Sequence, residues 1–126
     1  MIRKRGLVKF FNLVGYVNPP KHLDYFKTAD ILFIPSRSEA LPIAAIEALS
    51  LDLPIIASNV GGLPEIVNHG ENGLLSSNNP HEYCNFIIYL MADYNSFLIK
   101  AKRYNMKTKP KFNVINMYKR LMEIYR

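Results

Sequence analysis

Short apolar runs, each closed by a polar turn or a proline, alternate along this chain with longer stretches that carry a helical period. Four runs have the length and the β-branched or aromatic content of strands: residues 7–12, 31–35, 55–58 and 73–75. The run at 31–35, ILFIP, has no polar residue, which is typical of a strand buried on both faces of a parallel sheet.

The stretches between these runs repeat apolar residues three or four positions apart, as amphipathic helices do. Pro42 and Pro80 stand where proline is tolerated, in the first turn of a helix, and Asn79 supplies an N-cap for the second of these helices. We predict helices over residues 21–28, 42–51, 64–70, 80–94, 95–106 and 112–126. This order predicts an α/β fold, with a partial Rossmann-like parallel sheet flanked by helices.

Two carboxylates flank the start of the helix that follows the second strand. Glu39 and Glu47 are eight positions apart, so on one helix they would lie within about 80° of each other and about 12 Å apart along the axis. That separation is too large for a shared proton or metal ion. It favours two contacts with one elongated ligand, with the helix N-terminus between them.

The loops that follow the second and third strands contain the other candidate contacts, because ligands bind beyond the carboxyl ends of the strands in such sheets. A helix N-terminus offers backbone N–H groups and a positive dipole to an anion such as phosphate. Paired glycines let a ligand approach the backbone. The candidate residues from these loops are Ser36, Ala40, Leu41, Pro42, Ile43, Gly61 and Gly62.

The composition fits one small domain or part of a larger one. The chain has 126 residues, of which 49% are apolar and 21% charged, and no run is long enough to cross a bilayer. Its one cysteine, Cys84, excludes an internal disulfide and fits a reducing compartment. We expect Cys84 to be a small buried side chain in a cytoplasmic protein. The three histidines have no metal-binding spacing, so we expect no metal and treat them as surface or structural residues.

The net charge of +6 is concentrated at the start and in the last quarter of the chain. This asymmetry is compatible with an anionic partner, such as the inner face of a membrane, and equally with a solvated basic face. No nucleic-acid-binding motif is present, and we expect no nucleic-acid partner.

The run from Ala29 to Leu75, ADILFIPSRSEALPIAAIEALSLDLPIIASNVGGLPEIVNHGENGLL, resembles the C-terminal nucleotide-sugar-binding domain of glycosyltransferase family 4. Those enzymes are retaining and have the GT-B fold. Glu39 and Glu47 match the family's E-x7-E pair, and GGLPE matches its GG-x-x-E. VKFFNLVGYV is similar to the strand and turn that precede this block, and KFNVINMYKRLMEIY to the closing helix.

The resemblance implies a role for each matched residue. Glu47 would accept hydrogen bonds from the ribose hydroxyls, and Glu39, the catalytic candidate, would contact the donor sugar. The backbone from Leu41 to Ile43 would hold the distal phosphate. Gly15 and Tyr16 would lie near the base. The family acts without a metal or other cofactor on a nucleotide-sugar donor, here a UDP-sugar.

The resemblance also predicts the domain organisation: residues 1–111 as a truncated donor-binding domain and 112–126 as the closing helix. The family's Gly-Arg turn and Lys-bearing helix, in a section of roughly 60 residues, and its acceptor-binding domain have no counterpart here. We therefore expect an exposed sheet edge, self-association, and transfer only with a complementing chain. The alternative is a non-catalytic remnant that binds a nucleotide sugar or a protein partner.

Two matched positions depart from the family pattern. Ala40 stands in place of a glycine, and its methyl group would be strained if the backbone φ there had to be positive. Asp52 stands in place of another glycine, and aspartate tolerates the left-handed region better than most residues.

Overall fold

The computed structural model describes residues 3–113 and residue 123, and the predicted α/β class is confirmed. Its sheet has three parallel strands in the order β1 (Leu32–Ile34), β2 (Ile55–Ser58) and β3 (Gly73–Ser76). The described part of the chain from residue 3 to 113 places five helices around it: α1 (His22–Thr28), α2 (Ile43–Ser50), α3 (Leu63–Ile66), α4 (Pro80–Ala92) and α5 (Tyr94–Thr108). Short 3-10 turns occur at Arg3–Arg5, Val8–Phe10 and Lys109–Phe112.

The central strand β2 divides the core into two layers, because successive side chains of a strand point to opposite faces. Ile55 and Ala57 pack against α2 and α3 on one face, and Ile56 packs against α4 and α5 on the other. All four residues of β2 are buried. Leu49, Leu63 and Val67 belong to the first layer, and Tyr83, Leu90 and Phe97 belong to the second.

Side chains cap two helices where the sequence places suitable residues. The Asn79 side chain accepts a hydrogen bond from the His81 N–H at 2.9 Å, so the predicted start of α4 is confirmed. Asp93 caps α5 in the same way through the Ser96 N–H. The third predicted helix, 64–70, is shorter than expected. It ends at Ile66, and His69 instead forms a parallel bridge with Gly73.

The expectation that β1 is buried on both faces is wrong. β1 is an edge strand, with β2 on one side only. Leu32 and Ile34 are half-buried, and 46% of Phe33 is exposed. An apolar run indicates that the side chains of a strand can be buried. How much of the strand is buried depends on the elements that pack against it.

The predicted strand at 7–12 is also absent. Val8–Phe10 forms a 3-10 turn, and apolar side chains around it are exposed, including Phe10 at 71% and Leu13 at 82%. Within the described chain no strand lies beside this segment to complete its hydrogen bonds, and an isolated strand is not stable in water. The described residues therefore contain three strands where four were expected.

A polar network joins the amino end of the sheet to α5. The buried Asn72 side chain donates to the Ile66 carbonyl at 3.0 Å and to the Asn105 side chain at 3.1 Å. Asn105 donates in turn to Asp52, which also forms an ion pair with Lys109 at 2.8 Å. Asp52 has φ +59°, so the expectation that it takes a left-handed conformation in place of glycine is confirmed.

Two further expectations concern the helical half of the chain. Cys84 is exposed on α4, so its predicted burial is wrong. The predicted closing helix at 112–126 falls mostly outside the described residues. No helix of the described part is long and apolar enough to cross a bilayer.

Candidate functional site

The three loops at the carboxyl end of the sheet are tied together by hydrogen bonds around Tyr83. The Tyr83 hydroxyl, carried by α4, donates to the Asn78 side chain at 3.0 Å and lies 2.9 Å from the Ser58 hydroxyl at the end of β2. Asn78, after β3, donates to the carbonyl of Ser36 at 3.4 Å. The Tyr83 ring also meets the Phe33 ring edge to face at 4.9 Å. These contacts fix the loop that carries Ser36 and Glu39.

Glu39 lies in that loop and not on the helix. α2 begins at Ile43, with Pro42 in the N-cap position, so the helical estimate of the separation between Glu39 and Glu47 does not apply. The Glu39 carboxylate is half-buried and accepts a long hydrogen bond of 3.5 Å from the Ser36 hydroxyl. Its position is therefore set by the loop and by the elements against which the loop packs.

Gly61 and Gly62 form the surface against which the Glu39 loop packs. The Gly62 N–H donates to the Glu39 carbonyl at 3.3 Å. A Cβ atom on Gly61 would overlap that carbonyl oxygen, and one on Gly62 would lie 2.5 Å from the Ala40 carbonyl oxygen. The sequence predicts that a ligand approaches this glycine pair, and in the structure the backbone of Glu39 and Ala40 lies against it, so the two glycines position the Glu39 loop.

The opening of α2 faces solvent through apolar side chains. Leu41 is 59% exposed and Ile43 is 55% exposed. The Ile43 N–H donates to the Leu41 carbonyl at 2.9 Å, so this amide has a local partner, and Pro42 has no N–H. Ala40 does not have a positive φ, so alanine fits there without the strain considered from the sequence.

Glu47 has a partner that the sequence did not reveal. His22, the first residue of α1, donates through Nε2 to Glu47 Oε1 at 2.9 Å. Both side chains are a little over a quarter exposed. The sequence predicts only a surface or structural role for His22. The contact spans 25 positions, and no local pattern marks it.

Gly15 and Tyr16 lie in the exposed N-terminal segment. Gly15 has φ +70°, and Tyr16 is 85% exposed. No described contact joins either residue to Glu39 or Glu47. The structure therefore brings together Ser36, Glu39, Ala40, Pro42, Gly61 and Gly62 around one loop, with Glu47 further along α2.

Comparison with known proteins places this arrangement in a family. Residues 1–111 match the family described as glycosyl transferases group 1. The chain belongs to this family. As a group 1 glycosyltransferase domain, it is similar to D-inositol 3-phosphate glycosyltransferase of Corynebacterium glutamicum (strain R), with 33% identity over 94 residues. That match covers 74% of this chain and 22% of the relative.

Solved glycosyltransferases have the same fold. Sucrose-phosphate synthase of Thermosynechococcus elongatus aligns over 99% of this chain and 32% of its own, with a TM-score of 0.83 and 28% identity. Anabaena Alr3699/HepE, solved with UDP and with UDP-glucose, aligns over 98% of this chain and 34% of its own, with a TM-score of 0.87 and 23% and 22% identity respectively. The chain thus spans about a third of these structures and about a fifth of the curated relative.

The candidate site of this glycosyltransferase domain lies at the surface, since Leu41 and Ile43 are more than half exposed. We call the surface formed by the Glu39 loop and the start of α2 the open shelf. Two cavities, of about 310 and 270 Å³, lie elsewhere. The first lies between α4 and α5 around Phe97, and the second lies around Phe26 and Tyr94, so neither includes Glu39 or Glu47. The described residues contain no group of three or more His, Cys, Asp or Glu side chains placed to hold a metal ion.

Sequence reasoning missed four residues that shape this site: His22, Ser58, Asn78 and Tyr83. One signal was available for Ser58 and Asn78. Both come at or just after the end of a parallel strand, and the carboxyl ends of such strands meet at one edge. Tyr83 lies among the apolar residues of α4, and a helical period does not show whether the hydroxyl of a tyrosine forms hydrogen bonds.

Proposed function

We propose that this chain is the donor-binding part of a retaining glycosyltransferase, which transfers a sugar from a UDP-sugar to a glycan or lipid-linked acceptor. The observation that carries the proposal is the Glu39 loop, anchored by Gly61 and Gly62 at the carboxyl edge of the sheet, next to the start of α2. Family membership supports the transferase class. The complexes of the structural neighbour with UDP and UDP-glucose support the choice of donor.

Each part of the shelf suits one part of such a donor. The Glu47 carboxylate is an acceptor for ribose hydroxyls, since an ionised carboxylate only accepts hydrogen bonds. The backbone at the start of α2 suits the distal phosphate, because the first turn of a helix carries a partial positive charge. Glu39 contacts the sugar, and Gly15 and Tyr16 flank the base. Ser36 supports Glu39 through its hydroxyl.

In the proposed reaction the acceptor oxygen attacks the anomeric carbon on the face that the nucleoside diphosphate leaves. The bond from the anomeric carbon to the phosphate oxygen breaks, and the departing phosphate takes the acceptor proton. Such a step requires stabilisation of the negative charge on the leaving group in a site closed from water. An open shelf does not supply this, so we propose that transfer requires a second domain from a complementing chain. The exposed Leu41 and Ile43 are suited to contact that domain.

Donor binding is tested by isothermal titration of the chain with UDP and with UDP-glucose. Wild type is expected to bind UDP, and Glu47→Ala is expected to bind it about tenfold or more weakly, since hydrogen bonds to a charged group contribute about 1.5–3 kcal/mol. Glu71→Ala is the matched control. Glu71 precedes β3 at the opposite end of the sheet, where it pairs with Lys100. Equal losses in the two variants, or no binding by wild type, would reject the proposal.

A non-catalytic remnant that binds a nucleotide sugar or a protein partner is the second candidate. The exposure of Leu41 and Ile43 on the open shelf favours it, because binding alone does not require a site closed from water. Transferase assays on UDP-glucose, with and without a candidate N-terminal domain supplied as a separate chain, separate the two. Sugar transfer that appears only with the added domain supports the enzyme fragment. Donor binding without transfer in every combination supports the remnant.

Contact with an anionic membrane at the cytoplasmic face is a further part of the proposal. Lys100 and Lys109 are engaged with Glu71 and Asp52, whereas Lys102, Arg103 and Lys107 are exposed on α5. We expect weak, salt-sensitive binding to vesicles that contain phosphatidylserine, since each basic residue near such a surface contributes about 1 kcal/mol. Absence of sedimentation with these vesicles at low salt would favour a solvated basic face.

A further inference from the structure

We propose that His22 is a positioning residue for Glu47, holding its carboxylate ready for the ribose hydroxyls of the donor. This inference rests on the proposed function, because it assigns a partner to the carboxylate that the proposal places on the ribose. The observation is the hydrogen bond of 2.9 Å from His22 Nε2 to Glu47 Oε1. It joins the first residue of α1 to the second turn of α2.

The His22 ring is held in place by Phe26 and by Glu47. It meets the Phe26 ring edge to face, with 5.9 Å between the ring centroids, and Phe26 packs against the core layer around α2. The Nδ1 atom on the other edge of the imidazole is buried without a hydrogen-bond partner among the described residues. Because a carboxylate only accepts, Nε2 must carry the proton that is shared with Glu47. The ring therefore presents one fixed donor to Glu47.

A fixed donor restricts the Glu47 side chain before any ligand arrives. A free glutamate on a helix surface samples several rotamers. Ordering such a side chain when a ligand binds lowers the affinity about two- to tenfold. The bond to His22 occupies Oε1 and leaves Oε2 with its acceptor sites. The inference assigns Oε2 to the ribose hydroxyls, so that Glu47 would accept a hydrogen bond from a hydroxyl at one place.

The test compares three variants by isothermal titration with UDP and with 2′-deoxy-UDP. His22→Phe keeps a ring against Phe26 but has no donor, whereas His22→Gln restores an N–H near the position of Nε2. His81→Gln removes an exposed histidine from the first turn of α4 and is the control. Circular dichroism and thermal unfolding confirm that each variant is folded before it is titrated.

We expect His22→Phe to bind UDP about two- to tenfold more weakly than wild type, and to discriminate less between UDP and 2′-deoxy-UDP. His22→Gln should restore most of the affinity for UDP and most of the discrimination against 2′-deoxy-UDP, and His81→Gln should match wild type in both respects. A double variant, His22→Phe with Glu47→Ala, should bind no more weakly than Glu47→Ala alone, because His22 acts through the carboxylate.

Several outcomes would overturn the inference while leaving the proposed function intact. UDP binding that depends on Glu47, together with an unchanged or higher affinity in His22→Phe, would show that the histidine is neutral or competes with the ribose. A loss in His22→Phe that adds fully to that of Glu47→Ala would show an effect on the fold. Wild type that binds no UDP would reject the proposed function itself, and the inference with it.

Discussion

The backbone of Gly61 lies directly against the carbonyl oxygen of Glu39, with no room for a side chain between them. This contact joins the loop after β2 to the loop after β1, and the adjacent Gly62 N–H completes it with a hydrogen bond to the same oxygen. Gly61 also has φ +53°, a conformation that glycine adopts without strain. The glycine pair thus determines where the candidate catalytic carboxylate lies.

Gly61→Ala is therefore expected to be strongly destabilising. The positive φ costs a non-glycine residue about 1–2 kcal/mol, and displacing the Glu39 loop adds a loss of similar size, for a total of about 2–4 kcal/mol. Gly70→Ala is the control, because Gly70 has φ +80° and its added methyl group would meet no atom within 4 Å. Urea unfolding followed by circular dichroism measures the free energy of unfolding of both variants. Similar losses of stability in Gly61→Ala and Gly70→Ala would contradict the role given to the contact with Glu39.

Tyr83→Phe tests the hydrogen bonds that tie the three loops together. The change removes a hydroxyl that is bonded to Asn78 and Ser58, on a side chain that is only 7% exposed. We expect the free energy of unfolding to fall by about 1–3 kcal/mol, since buried polar groups lose a partner. Tyr89→Phe, at a residue 61% exposed on the same helix, should change it by less than about 0.5 kcal/mol. Equal changes in the free energy of unfolding of the two variants would show that the hydrogen bonds of the Tyr83 hydroxyl contribute little to stability.

The hydrogen-bonded carboxylate of Glu82 is expected to make the stability of the protein depend on pH. Hydrogen bonds from the Ser76 hydroxyl and from the Ser77 N–H and hydroxyl lower the pKa of Glu82 below the ordinary glutamate value. At a pH between the folded pKa and the ordinary glutamate value, the unfolded chain binds more protons than the folded chain. The stabilisation by the Glu82 carboxylate is therefore complete above the ordinary value and is lost as pH falls through the folded pKa.

The measurement for Glu82 is the urea midpoint of wild type and Glu82→Gln from about pH 7 down to about pH 3. Glu82→Gln should be less stable than wild type at neutral pH and should lose less stability on acidification. The two curves should therefore converge as pH falls. Parallel curves would show that other carboxylates account for the acid sensitivity.

The exposed N-terminal segment predicts self-association. Phe10, Leu13 and Tyr16 are each more than 70% exposed, and among the described residues no strand pairs with the side of β1 that faces away from β2. We expect sedimentation velocity to show a shift to larger species as concentration rises. Phe10→Ser with Leu13→Ser should reduce that shift without lowering the midpoint of thermal unfolding, because neither side chain is in the core. An unchanged concentration dependence would assign the association to another surface.

Local patterns were sufficient for most of the fold. β2 lies where its run of apolar residues predicted it, because a central strand needs only such a run between turns. The start of α4 follows from Asn79 and Pro80, whose capping chemistry acts over three residues. The motif around Glu39 and Glu47 likewise indicated a glycosyltransferase, and the chain belongs to the glycosyl transferases group 1 family.

The tertiary structure decided what depends on partners far along the chain. β1 is half-exposed and residues 7–12 form no strand, because burial and pairing are properties of neighbours and not of the segment. His22 meets Glu47 across 25 positions, and Gly61 supports Glu39 from another loop. The sequence by itself predicted which residues would contact a nucleotide sugar. Packing between distant elements decided where their side chains lie, because only the folded chain sets distances between atoms that are remote in sequence.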